Sequence, residues 1–131
     1  MNDDGCILFH GKINSSYFQV ALLDNENKEA YPQWKTGDET IVFGSHGVVV
    51  VTANDQLIDV TVKTNKNDLE YALCVSGEIM VGNKGILVGN ITSANTTIIK
   101  TQPGKYSVTV YTDKYGPETR QVVFCVNRLG N

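Results

Sequence analysis

The chain has 131 residues, 41% hydrophobic and 19% charged, with a formal net charge of −3. That length supports one domain, residues 1–131, with a single core and excludes two ordinary ones. No apolar run approaches the ~20 residues a membrane helix needs, and the basic residues are too sparse for direct nucleic-acid binding.

Residues 1–5, Met1-Asn2-Asp3-Asp4-Gly5, are acidic and lack the basic-then-apolar order of a secretory signal, so a flexible start and a cytoplasmic location are expected. Cys6–Lys12 is the first strand candidate. Ser16–Asp24 is the second, with Phe18, Val20 and Leu22 on one face and Tyr17, Gln19 and Ala21 on the other. The stretch Asn25–Glu39 reads as a long irregular loop, a place where function concentrates. A turn of helix fits within 26–35, limited by Pro32. Thr40–Gly44 and Gly47–Ala53 follow. The run Val48-Val49-Val50-Val51 offers apolar side chains to both faces and predicts a central strand.

Leu57–Thr64 alternates Ile58, Val60 and Val62 with Asp59, Thr61 and Lys63. Glu70–Ser76 and Glu78–Val81 come next, interrupted at Gly77, where a bulge is expected. Ile86–Ile91 and Thr96–Thr101 lead to Pro103-Gly104, a turn pair in which glycine accepts a positive φ. After it, alternation predicts Tyr106, Val108 and Val110 buried. Tyr111 falls on the opposite face, available to a second layer or a partner. Asp113–Pro117 reads as an exposed hairpin tip, and Gln121–Asn127 closes the domain. About eight to nine short strands with Gly, Pro, Asn and Asp turns specify an all-β antiparallel sandwich, antiparallel because no helical crossover is visible.

Candidate chemistry is sparse. Cys6, Cys74 and Cys125 sit beside aliphatic residues, are odd in number and form no Cys-x-x-Cys pair. Buried reduced thiols are expected, and no structural zinc. Ser45-His46 lies in a Gly-Ser-His-Gly turn, where adjacent residues rarely face each other, so a solvent-exposed turn histidine is expected rather than a catalytic pair. Asp24, Asn25, Glu26, Asn27 and Glu29 offer oxygens for calcium without the glycine-punctuated order of an EF-hand loop. No metal, cofactor or catalytic residue is assigned, and a non-enzyme is expected. Residues 1–70 carry eleven Asp/Glu against five Lys/Arg, a net of −6, and residues 71–131 carry three against six, a net of +3. An acidic first half suits attraction of a basic protein.

The order of landmarks carries a family likeness. Ser16-Tyr17-Phe18-Gln19-Val20 resembles the Ser-Tyr-x-Gln-apolar strand of the ComJ family, small proteins that inhibit the DNA-entry nuclease of competent bacteria. Trp34, Gly47 to Val51, Gly85-Ile86, Gly104-Lys105-Tyr106 and Tyr111-Thr112 fall in the same order, across residues 8–113. The segment after Thr112 departs from the pattern. The resemblance implies a small intracellular protein that inhibits a nuclease or toxin, in the manner of an immunity protein. Acidic and aromatic loop residues are the expected contacts: Asp24, Glu26, Glu29, Tyr31, Trp34, Asp38, Glu39 and Tyr115. The alternative is a ligand- or carbohydrate-binding sandwich using Trp34 and exposed tyrosines as stacking platforms.

Overall fold

Period-two alternation, punctuated by turn residues, is realised as two stacked five-stranded sheets. The computed structural model describes residues 7–15, 19–30, 32, 40–53, 56–64, 73–90 and 96–130. Its strands are β1 (Ile7–Asn14), β2 (Gln19–Asp24), β3 (Ile41–Gly44), β4 (Gly47–Val51), β5 (Leu57–Lys63), β6 (Leu73–Val81), β7 (Ile86–Gly89), β8 (Thr96–Ile99), β9 (Gly104–Thr112) and β10 (Gln121–Gly130). One sheet has the order β1-β5-β10-β9-β6 and the other β3-β4-β2-β7-β8. The long loop begins as a 3₁₀ segment, Asn25–Ala30. Cys6, Ser16–Phe18, Tyr31, Gln33–Glu39 and the early part of the expected Glu70–Ser76 strand lie outside the described residues. Among the described residues, no helix is long and apolar enough to cross a membrane.

The core is the interface of the inner faces. Val20, Leu22, Val48 and Val50 meet Val60, Val108, Val110 and Phe124, all fully buried. Burying each such side chain is worth roughly 1.5–3 kcal/mol. Tyr106, Val108 and Val110 are buried as the alternation predicts. Tyr111 does face the other way, but it is only 4% exposed, grouped with Val123 and Cys125 on the outward side of its sheet. A matching outward cluster, Ala21, Leu23, Val49 and Leu87, explains the uninterrupted apolar runs of β2 and β4. At the Pro103-Gly104 turn, Gly104 takes φ 145°.

The structure departs from three expectations. Pairing is antiparallel except between β5 and β10, which run parallel. β10 leaves a hairpin with β9 and slots beside β5, whose direction its partner β1 sets. Its run Val122–Val126, buried on both faces, suits that central place. Next, Gly77 makes no bulge. β6 pairs with β9 in unbroken register, with Gly77 opposite Val108. The glycine answers a steric demand from the facing sheet, because the Phe43 ring lies over it. Finally, Cys74 is exposed while Cys125 is buried. Cys74 sits on the outward side of an edge strand, where its neighbour Val75 packs toward the core and does not cover it.

A Cβ at residue 77 would fall 2.5 Å from Cδ2 of Phe43. Gly77→Ala should therefore lower stability by about 1–3 kcal/mol in urea denaturation, the usual cost of overpacking. Adding Phe43→Leu should recover part of that loss, since it removes the ring that the new methyl displaces.

Candidate functional site

Asp24 follows four buried apolar residues at the end of β2 and has no solvent exposure. A buried carboxylate is tolerated only when donors surround it. Oδ1 accepts from the Gly82 N–H at 3.0 Å and the Glu26 N–H at 3.1 Å. Oδ2 accepts from Asn27 Nδ2 at 2.8 Å and His46 Nδ1 at 3.1 Å. These donors come from the 3₁₀ segment, the β3–β4 turn and the β6–β7 turn, so one carboxylate joins three connections and both sheets. Burial pushes the Asp24 pKa up, but the four bonds, from Asn27, Gly82, Glu26 and His46, outweigh it and hold the carboxyl below its ordinary value.

Backbone bonds repeat the linkage. The Asp24 N–H donates to the His46 carbonyl at 2.7 Å, Asn25 N–H to the Gly85 carbonyl at 3.0 Å, and Met80 N–H to the Ser45 carbonyl at 2.8 Å. Asn25 Nδ2 donates to the Lys84 carbonyl at 3.1 Å, and Glu26 Oε1 accepts from the Asn83 N–H. His46 Nδ1 also lies 3.3 Å from the Met80 carbonyl. Two oxygen acceptors at one ring nitrogen place the hydrogen on Nδ1. His46 is thus a partly buried strut between sheets, not the free turn histidine that its Gly-Ser-His-Gly setting suggests. Nothing in the local sequence marks it, since its carboxylate lies 22 positions away. The available clue is Asp24 itself, an acid directly following a strand apolar on both faces.

The expected contact residues separate into groups. Asp24 is inside the fold with both oxygens engaged, so it is not part of the exposed surface. Glu26 and Glu29 are exposed on the 3₁₀ segment above it. Tyr31, Trp34, Asp38 and Glu39 lie outside the described residues. Tyr115 is 61% exposed but belongs to the opposite end of the sandwich. β9 spans nine residues, from Gly104 opposite Val81 to Thr112 opposite Leu73. At ~3.4 Å per residue its ends stand about 27 Å apart. The tip that carries Tyr115 is braced. Asp113 Oδ1 accepts from the N–H groups of Arg120 and Gln121, each at 3.0 Å, and the Ala53 N–H donates to the Thr119 carbonyl at 2.9 Å.

The five residues considered for calcium form a different structure. N–H donors occupy the Asp24 lone pairs that a cation would need. Among the described residues, no three His, Cys, Asp or Glu side chains are grouped to hold a metal.

Because the Asp24 pKa is depressed on folding, its contribution is fully present above the unfolded value of about 3.9 and fades as pH falls through the lower folded value. Asp24→Asn should cost roughly 2–3 kcal/mol at pH 7, the range for hydrogen bonds to a buried charge. The gap between variant and wild type should narrow at pH 3, when both are compared by urea denaturation.

No family model matches the chain, and no curated protein matches it. Solved structures do. ComJ from Bacillus subtilis, inhibitor of the DNA-degrading activity of NucA, superposes with a TM-score of 0.74 at 12% identity, covering 95% of this chain and 98% of ComJ. The crocagin biosynthetic gene J protein superposes with a TM-score of 0.55 at 11% identity, covering 89% of this chain and 96% of its own. The chain therefore has the ComJ-like fold, an all-β sandwich matched along nearly its whole length.

Proposed function

We propose that this protein is a small intracellular binding protein that inhibits a nuclease or toxin by occupying its surface. The observation that carries the reading is the near-complete correspondence in fold with ComJ, an inhibitor of a DNA-degrading activity. Charge agrees with it. The net of −6 over residues 1–70 gives a field that would steer a basic partner. Glu26 and Glu29 are exposed on a segment held by the Asp24 network, so the acids are presented from a fixed base. Tyr31, Trp34, Asp38 and Glu39 are further proposed contacts, and Tyr115 is one at the opposite end of the sandwich from Glu26. No cofactor or metal is needed for such blocking.

The test is a DNA-degradation assay with any nuclease whose gene neighbours that of this chain. Stoichiometric chain should suppress cleavage. Glu29→Lys with Glu39→Lys should slow association roughly tenfold at low salt, with the difference shrinking as salt rises. Undiminished cleavage at tenfold excess of folded chain would refute the reading.

A further inference from the structure

Four strands stand at sheet edges, and three are protected in recognisable ways. β3 and β8 have only four residues each. β1 shifts register between Ile7 and Phe9 and carries His10 and Lys12. Short length, irregularity and charge all discourage pairing with another chain. β6 is neither short nor irregular, and its one charged residue is Glu78. It runs nine residues, Leu73–Val81, in unbroken register with β9.

Its outward side can be assigned. Met80 donates its N–H to Ser45 and receives the His46 Nδ1 hydrogen bond at its carbonyl, both on the side away from β9. In an antiparallel ladder alternate residues share a side, so the N–H and C=O groups of Cys74, Ser76 and Glu78 point outward too. All three residues are exposed. The turn that carries Ser45 and His46 bonds the edge at Met80, and among the described residues none pairs with the outward main-chain groups of 74–78.

We propose that this open edge of β6 receives an extended segment of the basic partner as a sixth strand of the sheet. The inference rests on the proposed inhibitory function and names its surface. Main-chain bonds would hold the segment, and flanking side chains would select it. On the inner side, Val75 and Phe43 are only partly buried and would accept apolar residues. On the outer side, Glu78 is 58% exposed, and its 3.7 Å pair with Lys105 is a solvent-screened one. The partner segment therefore alternates apolar residues with a Lys or Arg facing Glu78. Glu26, beyond the Gly82 end of the strand, extends the same charge. These acids suit a basic segment.

Amide hydrogen exchange of the full chain, alone and with the nuclease of the assay above, tests this. Amides of Cys74, Ser76 and Glu78 should exchange fast in the free chain and slow by roughly 100-fold on binding, while those of Val75, Gly77 and Ile79 change little. Ser76→Pro removes a donor the sheet itself does not use and should weaken inhibition tenfold or more, about 1.4 kcal/mol. Ser76→Ala, which loses only the 2.9 Å contact with Thr109 Oγ1, should inhibit like wild type. Inhibition without protection at these amides overturns the edge proposal and leaves the inhibitory function standing. Absence of inhibition by wild type refutes the function and this proposal together. Protection of the same amides in the free chain, with a dimer in sedimentation, assigns the edge to a second copy instead.

Discussion

Removing a carboxylate from water costs several kcal/mol unless donors replace the lost hydration, and the end of this sandwich is organised around meeting that cost at Asp24. Four donors from three connections converge on two oxygens. The 3₁₀ segment, the histidine turn and the β6–β7 turn cannot be placed independently, because each supplies a bond the others lack. The adjoining backbone bonds, from Asp24, Asn25 and Met80, fix the same three segments a second time. The geometry of that end is therefore a property of one buried charge as much as of the hydrophobic core.

That arrangement bears on the proposed recognition of a partner. Loops on β-sandwiches carry function while the sheets carry stability. Here the exposed acids Glu26 and Glu29 stand on a segment whose first turn is pinned from below. A pinned loop loses little conformational entropy when it binds, so its contacts convert more fully into affinity. The same network closes β6 at Met80, its penultimate residue, through Ser45 and His46, and among the described residues nothing pairs with the stretch before it on that side. The acidic surface and the available sheet edge are thus adjacent outcomes of one set of bonds. The Tyr115 tip is built separately, on Asp113 and Thr119, at the far end.

The fold ComJ shares with this chain persists at 12% identity. A sandwich core asks for apolar residues at alternate positions and turn residues between strands, and many sequences meet both demands. The specific polar joints are more restrictive, since a carboxylate at position 24 needs its donors in the same protein. Fold is therefore the tolerant feature here, and the loops and edges around it are where the chain's own identity resides.

Alternation identified β2, β5 and β9 and the burial of Tyr106, Val108 and Val110, continuous apolar runs identified β4 and β10, and the Pro-Gly turn pair identified the positive φ of Gly104, because each follows from local sequence. The acidic character of the first half was equally legible, since it needs only counting. Other features depend on residues distant in sequence. Gly77 suggested a bulge until the Phe43 ring supplied the reason for a glycine. Cys74 and Cys125 have similar neighbours in sequence, yet one is exposed at an edge and the other buried mid-sheet. Parallel pairing of β5 with β10 needed the whole strand order. Asp24 and His46 looked like a loop acid and a turn histidine, and only the folded chain made them one structure. The sequence by itself determined which faces are apolar, because that is encoded residue by residue. Which strands meet, and which distant polar groups must therefore satisfy one another, was decided by tertiary structure, because such partners are far apart along the chain: His46 and Gly82 lie 22 and 58 positions from Asp24.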